Sequence, residues 1–242
     1  MPINNEYKVE KIAERWVLFD PQLMVNPSDE YFSCKIMHEK GLVTGSADGR
    51  GETCFYRVSE TKWALRHYLR GGLVARFLSD SYFGFRLKNT RAWKEWHLLN
   101  QMRALDLPVP VPVAASVIKS GLFYRADLIT EFLDDTETLS DILSNQTVSD
   151  EKWKKIGYVI RQFHNENVFH SDLNARNILI DKEDKIYLID FDQCGFKEGD
   201  AWKSKNLNRL KRSLLKFKTK QELFNFNEMN WRSLMKGYTS IE

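Results

Sequence analysis

The spacing of apolar and polar positions changes along this chain, and the change divides it. Up to about residue 133 the pattern is mostly that of strands. Leu42-Val-Thr44, Thr53-Cys-Phe-Tyr-Arg-Val58 and Lys62-Trp-Ala-Leu-Arg-His-Tyr-Leu69 are short, β-branched and aromatic, with a glycine-rich turn from Gly45 to Gly51 between the first two. Leu122 to Leu133 predicts a strand pair or a kinked strand. One helix interrupts this region. From Thr90, which can cap it, to about residue 104, Trp93, Trp96, Leu99 and Met102 recur near helical spacing. Leu107-Pro-Val-Pro-Val-Pro112 cannot continue that helix and predicts a stiff, extended connection. Before residue 38, Trp16-Val-Leu-Phe19 and Tyr31-Phe32 are broken by Pro21 and Pro27 and predict an extended arm or strands.

After residue 133 the helical period dominates. Thr138 with Asp141 resembles a capping box for a short helix from Leu139 to Leu143. Trp153, Ile156, Ile160 and Phe163 then form an apolar stripe that ends near Asn165-Glu-Asn167. Two short apolar runs follow, Ile178-Leu-Ile180 and Ile186-Tyr-Leu-Ile189, joined by Asp181-Lys-Glu-Asp-Lys185, and these predict a buried hairpin. The expected fold class is α+β in two lobes. A β-rich lobe with one main helix spans residues 1–133, and a helical lobe spans residues 134–242.

Three polar residues stand at the edges of that hairpin. Asp172 lies in the loop before it, Asn177 at the start of its first strand and Asp190 at the end of its second. Adjacent ends of an antiparallel pair lie together, so Asn177 and Asp190 can share a site. Both offer hard oxygen ligands suited to Mg2+. A carboxylate placed as Asp172 is can orient an attacking hydroxyl, which is what phosphoryl transfer asks of a protein. Asp172 or Asp190 alone would more often decorate a turn. The joint pattern H-x-D-L-x-x-x-N, strand, I-D-F is specific for a kinase acting on a hydroxyl.

Composition excludes several other classes. Hydrophobic residues at 43% and charged residues at 29% are globular values that argue against disorder. The first residues contain no apolar run of signal-peptide type, and no run approaches membrane-spanning length. Three dispersed cysteines, Cys34, Cys54 and Cys194, with no C-x-x-C, predict neither a disulfide framework nor a zinc site and fit a reducing compartment. Net charge is only +3, but the basic residues are clustered. Residues 66–91 carry Arg66, Arg70, Arg76, Arg86, Lys88 and Arg91 against Asp80 alone. Residues 201–220 carry eight Lys and Arg, including Arg209, Lys211 and Arg212, and no acid. That second run is interleaved with Trp202, Leu207, Leu210, Leu214, Leu215 and Phe217. It reads either as a basic amphipathic helix for an anionic surface or ligand, or as a solvated face whose apolar side packs on its own lobe. No nucleic-acid-binding module is recognisable, and nucleic acid is not expected as a partner.

The segment from His170 to Asp192 resembles the catalytic and metal-binding loops of the protein-kinase-like superfamily. His170-Ser-Asp172 matches H-R-D with Ser171 for Arg, and Asp190-Phe-Asp192 matches D-F-G with Asp192 for Gly. The resemblance implies that Asp172 is the catalytic base and that Asn177 and Asp190 hold Mg2+. It places Arg66, in Ala64-Leu-Arg66, where V-A-I-K carries Lys, with Glu95 as the candidate helix partner. Gly49-Arg50-Gly51 falls at the phosphate-covering loop, with Cys54 at the third glycine. Glu131-Phe-Leu133 falls at the hinge that would meet adenine through its backbone, so ATP is the implied nucleotide. Ser171 removes the arginine that grips a phosphorylated activation loop. Fifty-two residues follow Asp190 in the 242-residue chain, without an A-P-E element, which favours a small acceptor over a protein.

As a whole the chain resembles the lipopolysaccharide core sugar kinases, above all those acting on 3-deoxy-D-manno-octulosonic acid (Kdo). The likeness rests on Gly49-Arg-Gly51, on Trp63 to Val74 with its Arg70-Gly71-Gly72 turn, on His170 to Ile180 and on the basic tail. It implies phosphorylation by ATP of the 4-hydroxyl of a Kdo residue on a lipid A precursor. The enzyme would sit peripherally on the cytoplasmic side of the bacterial inner membrane, with the basic tail on its anionic surface. A heptose kinase or another small-molecule kinase shares the same catalytic set, and the absent lysine at position 66 leaves a lipid-binding pseudokinase as a second class.

Overall fold

The computed structural model describes residues 6–47, 53–68, 82–83, 86–121 and 123–240. The chain divides into two compact units. One comprises Met1–Arg103 with Pro110–Phe132, the other Ala104–Val109 with Leu133–Glu242.

The first unit contains β1 (Lys8–Ile12), β2 (Arg15–Phe19), α1 (Cys34–Glu39), β3 (Val43–Ala47), β4 (Thr53–Val58), β5 (Thr61–His67), β6 (Tyr82–Phe83), α2 (Arg91–Ala104), β7 (Pro112–Ser120) and β8 (Phe123–Glu131). The strands form an antiparallel sheet in the order β1-β2-β7-β8-β5-β4-β3, and β6 pairs with the start of β8. Where a strand pair or kinked strand was expected, β8 is one long strand, which pairs with β7 along one edge and with β6 and β5 along the other. Side chains alternate across the sheet. Cys54 and Tyr56 on β4, and Trp63 and Leu65 on β5, point into a core with Val17, Phe19, Met24, Met37, Val113 and Ile129. Arg66 follows Leu65 and so faces the opposite side, where α2 lies. At the start of α2 the Thr90 hydroxyl donates to the Leu87 carbonyl (2.6 Å), while the Lys94 N–H donates to the Thr90 carbonyl (3.1 Å).

The cysteines correct one expectation. Cys34, at the start of α1, and Cys54, on β4, form a disulfide with their Cα atoms 5.9 Å apart. Their separation of 20 residues carries no sign that β4 folds back beside α1.

The second unit contains β9 (Thr136–Thr138), α3 (Leu139–Asn145), α4 (Asp150–Asn165), β10 (Val168–Phe169), β11 (Ile178–Asp181), β12 (Ile186–Leu188), β13 (Gly195–Phe196), α5 (Ala201–Lys220) and α6 (Glu228–Thr239). Thr138 and Ser149 cap α3 and α4 by accepting from the N–H groups of Asp141 and Lys152. The stripe Trp153, Ile156, Ile160 and Phe163 on α4 is buried. β12, β11 and β9 make a small antiparallel sheet, and residues 104–109 join this unit through a Leu188 N–H to Pro108 carbonyl bond of 3.1 Å. α6 begins with a reciprocal cap between Asn227 and Asn230 and packs along α4. The two helices touch backbone to backbone. A Cβ on Gly157 would stand 1.9 Å from the Leu234 carbonyl oxygen, and one on Gly237 would stand 1.9 Å from that of Lys154. Only glycine permits this approach.

Candidate active site

The predicted hairpin forms with Ile178 opposite Leu188 and Ile180 opposite Ile186. Its open end is closed by the Ile189 N–H donating to the Asn177 carbonyl at 3.1 Å. Asn177 and Ile189, the residue preceding Asp190, are thereby neighbours. Asp190 itself has φ 65°, the left-handed region that Asp tolerates better than most residues. It turns the chain sharply as it leaves the strand.

The loop before the hairpin is fastened by its own polar groups. His170 is buried, and its Nδ1 accepts from the Asp172 N–H (3.2 Å). Nε2 must then carry the proton, and it donates to the Ile189 carbonyl (3.0 Å). Burial lowers the His170 pKa, which keeps the ring in this neutral form. The Asp172 carbonyl accepts from Asn174 Nδ2 (3.0 Å) and Asn177 Nδ2 (2.9 Å). The second of these bonds fixes which end of the Asn177 amide is committed and turns Oδ1 away from it. Ser171, which stands where Arg is usual, donates from Oγ to the Asp192 carbonyl (2.8 Å). The loop is thus joined directly to the Asp190-Phe-Asp192 segment.

Helix α5 runs along this loop and holds it with residues on one face. Asn206 Nδ2 donates to the His170 carbonyl (2.6 Å). Arg209 donates from Nε (3.0 Å) and from Nη2 to Oδ1 of Asp172. Ser213 Oγ accepts from the Ala175 N–H (3.5 Å), and the Arg176 guanidinium lies 5.3 Å from the Phe217 ring centre. Positions 206, 209, 213 and 217 follow the helical repeat and meet loop residues 170, 172, 175 and 176 in order. Behind Asn206, a chain leads from the half-buried Tyr238 hydroxyl to the buried His164 Nδ1 (2.9 Å) and from His164 Nε2 to Asn206 Oδ1 (3.1 Å). Burial lowers the His164 pKa to about 4, against the opposing Asn206 hydrogen bond, so it serves this chain as a neutral ring. For Asp172, partial burial favours the neutral acid. The Arg209 hydrogen bonds and charge, with help from Asn174, outweigh it and place the pKa below the usual carboxylate value.

A second polar set lies in the first unit. Arg66 on β5 and Glu95 on α2 form an ion pair, and Glu95 is only 4% exposed. The buried Tyr68 hydroxyl donates to Glu95 Oε2 (2.6 Å) and accepts from Arg66 Nη2 (2.9 Å). The guanidinium also lies 4.7 Å from the Tyr68 ring centre. The expected partnership of residues 66 and 95 is present, with Tyr68 as an unanticipated third member.

Comparison with known proteins places this geometry. The model of the lipopolysaccharide kinase (Kdo/WaaP) family matches residues 35–238. The chain belongs to this family. It is 44% identical over 204 residues to a 3-deoxy-D-manno-octulosonic acid kinase of Vibrio cholerae serotype O1, covering 84% of this chain and 87% of that protein. It is 40% identical over 222 residues to the protein of the same name from Photobacterium profundum, covering 92% and 94%. It is also 40% identical over 232 residues to that of Haemophilus influenzae strain 86-028NP, covering 93% and 96%.

The antiparallel sheet and helices of this lipopolysaccharide kinase family member make a kinase-like α+β fold. Its remaining sequence-derived candidates have distinct positions. Gly49, Arg50 and Gly51 lie outside the described residues, as do Arg70, Gly71 and Gly72. Glu131 ends β8, its N–H donates to the Val111 carbonyl (2.8 Å), and burial raises its carboxyl pKa. The Leu133 carbonyl accepts from the Thr136 hydroxyl (2.8 Å). Sequence reading passed over Arg209, Asn206 and Ser213 as parts of the site. The available sign was that Asn206 and Ser213 are uncharged polar residues spaced seven apart in a strongly basic helix. Of the two readings of the basic stretch, packing of its apolar side on its own unit is present. Trp202, Leu207, Leu210 and Leu214 are buried, Arg209 is bound to Asp172, and Lys211 pairs with Glu228. These groups serve their own unit.

Proposed function

We propose that this family member transfers the γ-phosphoryl group of ATP to the 4-hydroxyl of a Kdo residue on a lipid A precursor in lipopolysaccharide core biosynthesis. The observation that supports the reading is the loop whose Asp172 carbonyl is tied to Asn177 at the open end of the hairpin that leads into Asp190. It occurs in a chain about 40% identical to Kdo kinases over nearly their full length.

In this reading Asp172 accepts the proton of the acceptor hydroxyl. The hydroxyl oxygen forms a bond to the γ-phosphorus as the bond to the ADP oxygen breaks. Asn177 Oδ1 and the Asp190 carboxylate are hard oxygen donors and fit Mg2+, which is commonly held by one or two protein ligands together with phosphate and water. When bound, the ion would neutralise phosphate charge. In the first unit, Arg66, held by Glu95 and Tyr68, takes the role of the usual lysine toward nucleotide phosphate, aided by the backbone of Gly49, Arg50 and Gly51. Glu131 and Leu133 flank the proposed adenine contact. Residues 1–133 would form the nucleotide lobe and residues 134–242 the acceptor lobe.

No described helix is long and apolar enough to cross a membrane. Peripheral attachment to the cytoplasmic side of the inner membrane would rest on the exposed Lys216, Lys218 and Lys220 toward the end of α5, with Leu215 and Leu223 exposed nearby in sequence. Incubation with ATP, Mg2+ and a Kdo-bearing lipid A precursor should give a product that gains one phosphate on the Kdo ring by mass spectrometry, at O4 by NMR. Turnover of heptosylated lipid or an aminoglycoside, with none of the Kdo lipid, would overturn the acceptor. No turnover of any acceptor, with nucleotide still bound, would favour the pseudokinase reading.

A further inference from the structure

We propose that Arg209 recognises the carboxylate of the acceptor sugar, exchanging its ion pair with Asp172 for one with the acceptor. This rests on the reading of the acceptor as Kdo, a sugar acid that is anionic at neutral pH.

Three features of the pair support exchange. First, both Nε and Nη2 of Arg209 converge on a single oxygen of Asp172. A guanidinium and a carboxylate bind best as two parallel hydrogen bonds to two oxygens. The resting contact does not use that arrangement, and an incoming carboxylate can. Second, the two side chains are 45% and 41% exposed. Ion pairs at that level of exposure contribute little to stability, so a competing anion displaces one at low cost. Third, the helix around Arg209 is poor in competing acids. Residues 201–220 contain none, and Lys205 and Arg212 lie one turn to either side, lining a surface depression with Asn208, Lys211 and Leu215.

Position selects the anion. Arg209 reaches the group that takes the hydroxyl proton, so the anion it receives must lie close to the reacting hydroxyl. The carboxylate on the same sugar ring meets that condition, whereas phosphates on other sugars of the lipid lie further from the reacting centre. An acceptor without a carboxylate leaves both Arg209 nitrogens on Oδ1 of Asp172.

The test pairs a change in the enzyme with a change in the substrate. Wild type, Arg209→Gln and Arg209→Lys are assayed for kcat/KM with a Kdo acceptor and with its neutral carboxamide analogue. Loss of Arg209 or of the substrate charge should each lower kcat/KM by roughly 10- to 100-fold, the range for a hydrogen bond to a charged group. The two losses together should be no greater than either alone, and Arg209→Lys should recover part of the activity only with the carboxylate substrate. If the losses multiply, Arg209 serves Asp172 alone and the inference is wrong while the Kdo reading stands. If wild type phosphorylates no Kdo acceptor, the acceptor reading fails and this inference fails with it.

Discussion

Arg209 and Asp172 are 37 residues apart in sequence and are joined through one carboxylate oxygen. The guanidinium holds the folded carboxyl pKa below its ordinary value against partial burial. The sign of the pH effect follows. With the folded value below the unfolded one, the pair's contribution to stability is present above the ordinary carboxylate range and is lost as pH falls through the folded value. In Arg209→Gln the largest lowering influence is gone, burial is opposed only by Asn174 and His170, and the carboxyl pKa rises. The acidic limb of kcat/KM for the variant should move to higher pH than in wild type. A limb that does not move would show that another group sets it.

Asp172→Asn should abolish proton acceptance while keeping the loop's shape, because the loop bonds at this residue use its backbone N–H and carbonyl. Turnover should fall by roughly 10²- to 10⁴-fold. Nucleotide affinity, followed by a thermal shift with ATP, should change little. Retained turnover would remove Asp172 from the role of base.

The Arg66–Glu95 pair should respond unequally to loss of its members. Glu95 is 4% exposed at its side chain and Arg66 is 23% exposed. Arg66→Met takes the guanidinium from a buried carboxylate that keeps its Tyr68 hydrogen bond, whereas Glu95→Gln leaves a cation that reaches solvent. Urea denaturation should show Arg66→Met destabilised by about 3 kcal/mol and Glu95→Gln by less. The reverse order would mean that the guanidinium is the more deeply committed partner.

The crossing of α4 and α6 tolerates no side chain at its closest point. Gly157→Ala and Gly237→Ala each bring a Cβ within 1.9 Å of a carbonyl oxygen. Each should cost about 3 kcal/mol or more in chemical denaturation, because a backbone atom cannot step aside as a flexible side chain can. Gly195→Ala, where a Cβ meets nothing within 4 Å, should stay within about 0.5 kcal/mol of wild type.

Membrane attachment can be tested apart from the loop contacts of α5. Lys216, Lys218 and Lys220 lie beyond Arg209 and are exposed. Their joint replacement by Glu should weaken binding to anionic vesicles, with the larger loss at low salt, and should leave turnover of a soluble Kdo acceptor unchanged. Unchanged vesicle binding would assign this face to solvent alone.

Much of this protein was legible before folding. Two short continuous apolar runs and the turn between them predicted the Ile178–Leu188 hairpin, and a hairpin necessarily brings its open ends together. Asn177 and Ile189, the residue before Asp190, therefore became neighbours by local rules alone. Helical spacing likewise marked α2 and the buried face of α4, and the kinase-like order of residues pointed from Arg66 to Glu95. Other features depended on which surfaces meet. Helical period shows that Asn206, Arg209 and Ser213 share a face, but not that the face lies along the catalytic loop, so a basic stripe looked free to meet a membrane. Cys34 with Cys54, Tyr68 with Glu95, and Gly157 with Leu234 are contacts of the same kind. Backbone periodicity is a local property set by sterics and hydrogen bonding within a few residues. The pairing of distant surfaces is decided by packing of the whole unit, and that is where Asp172 acquired its arginine.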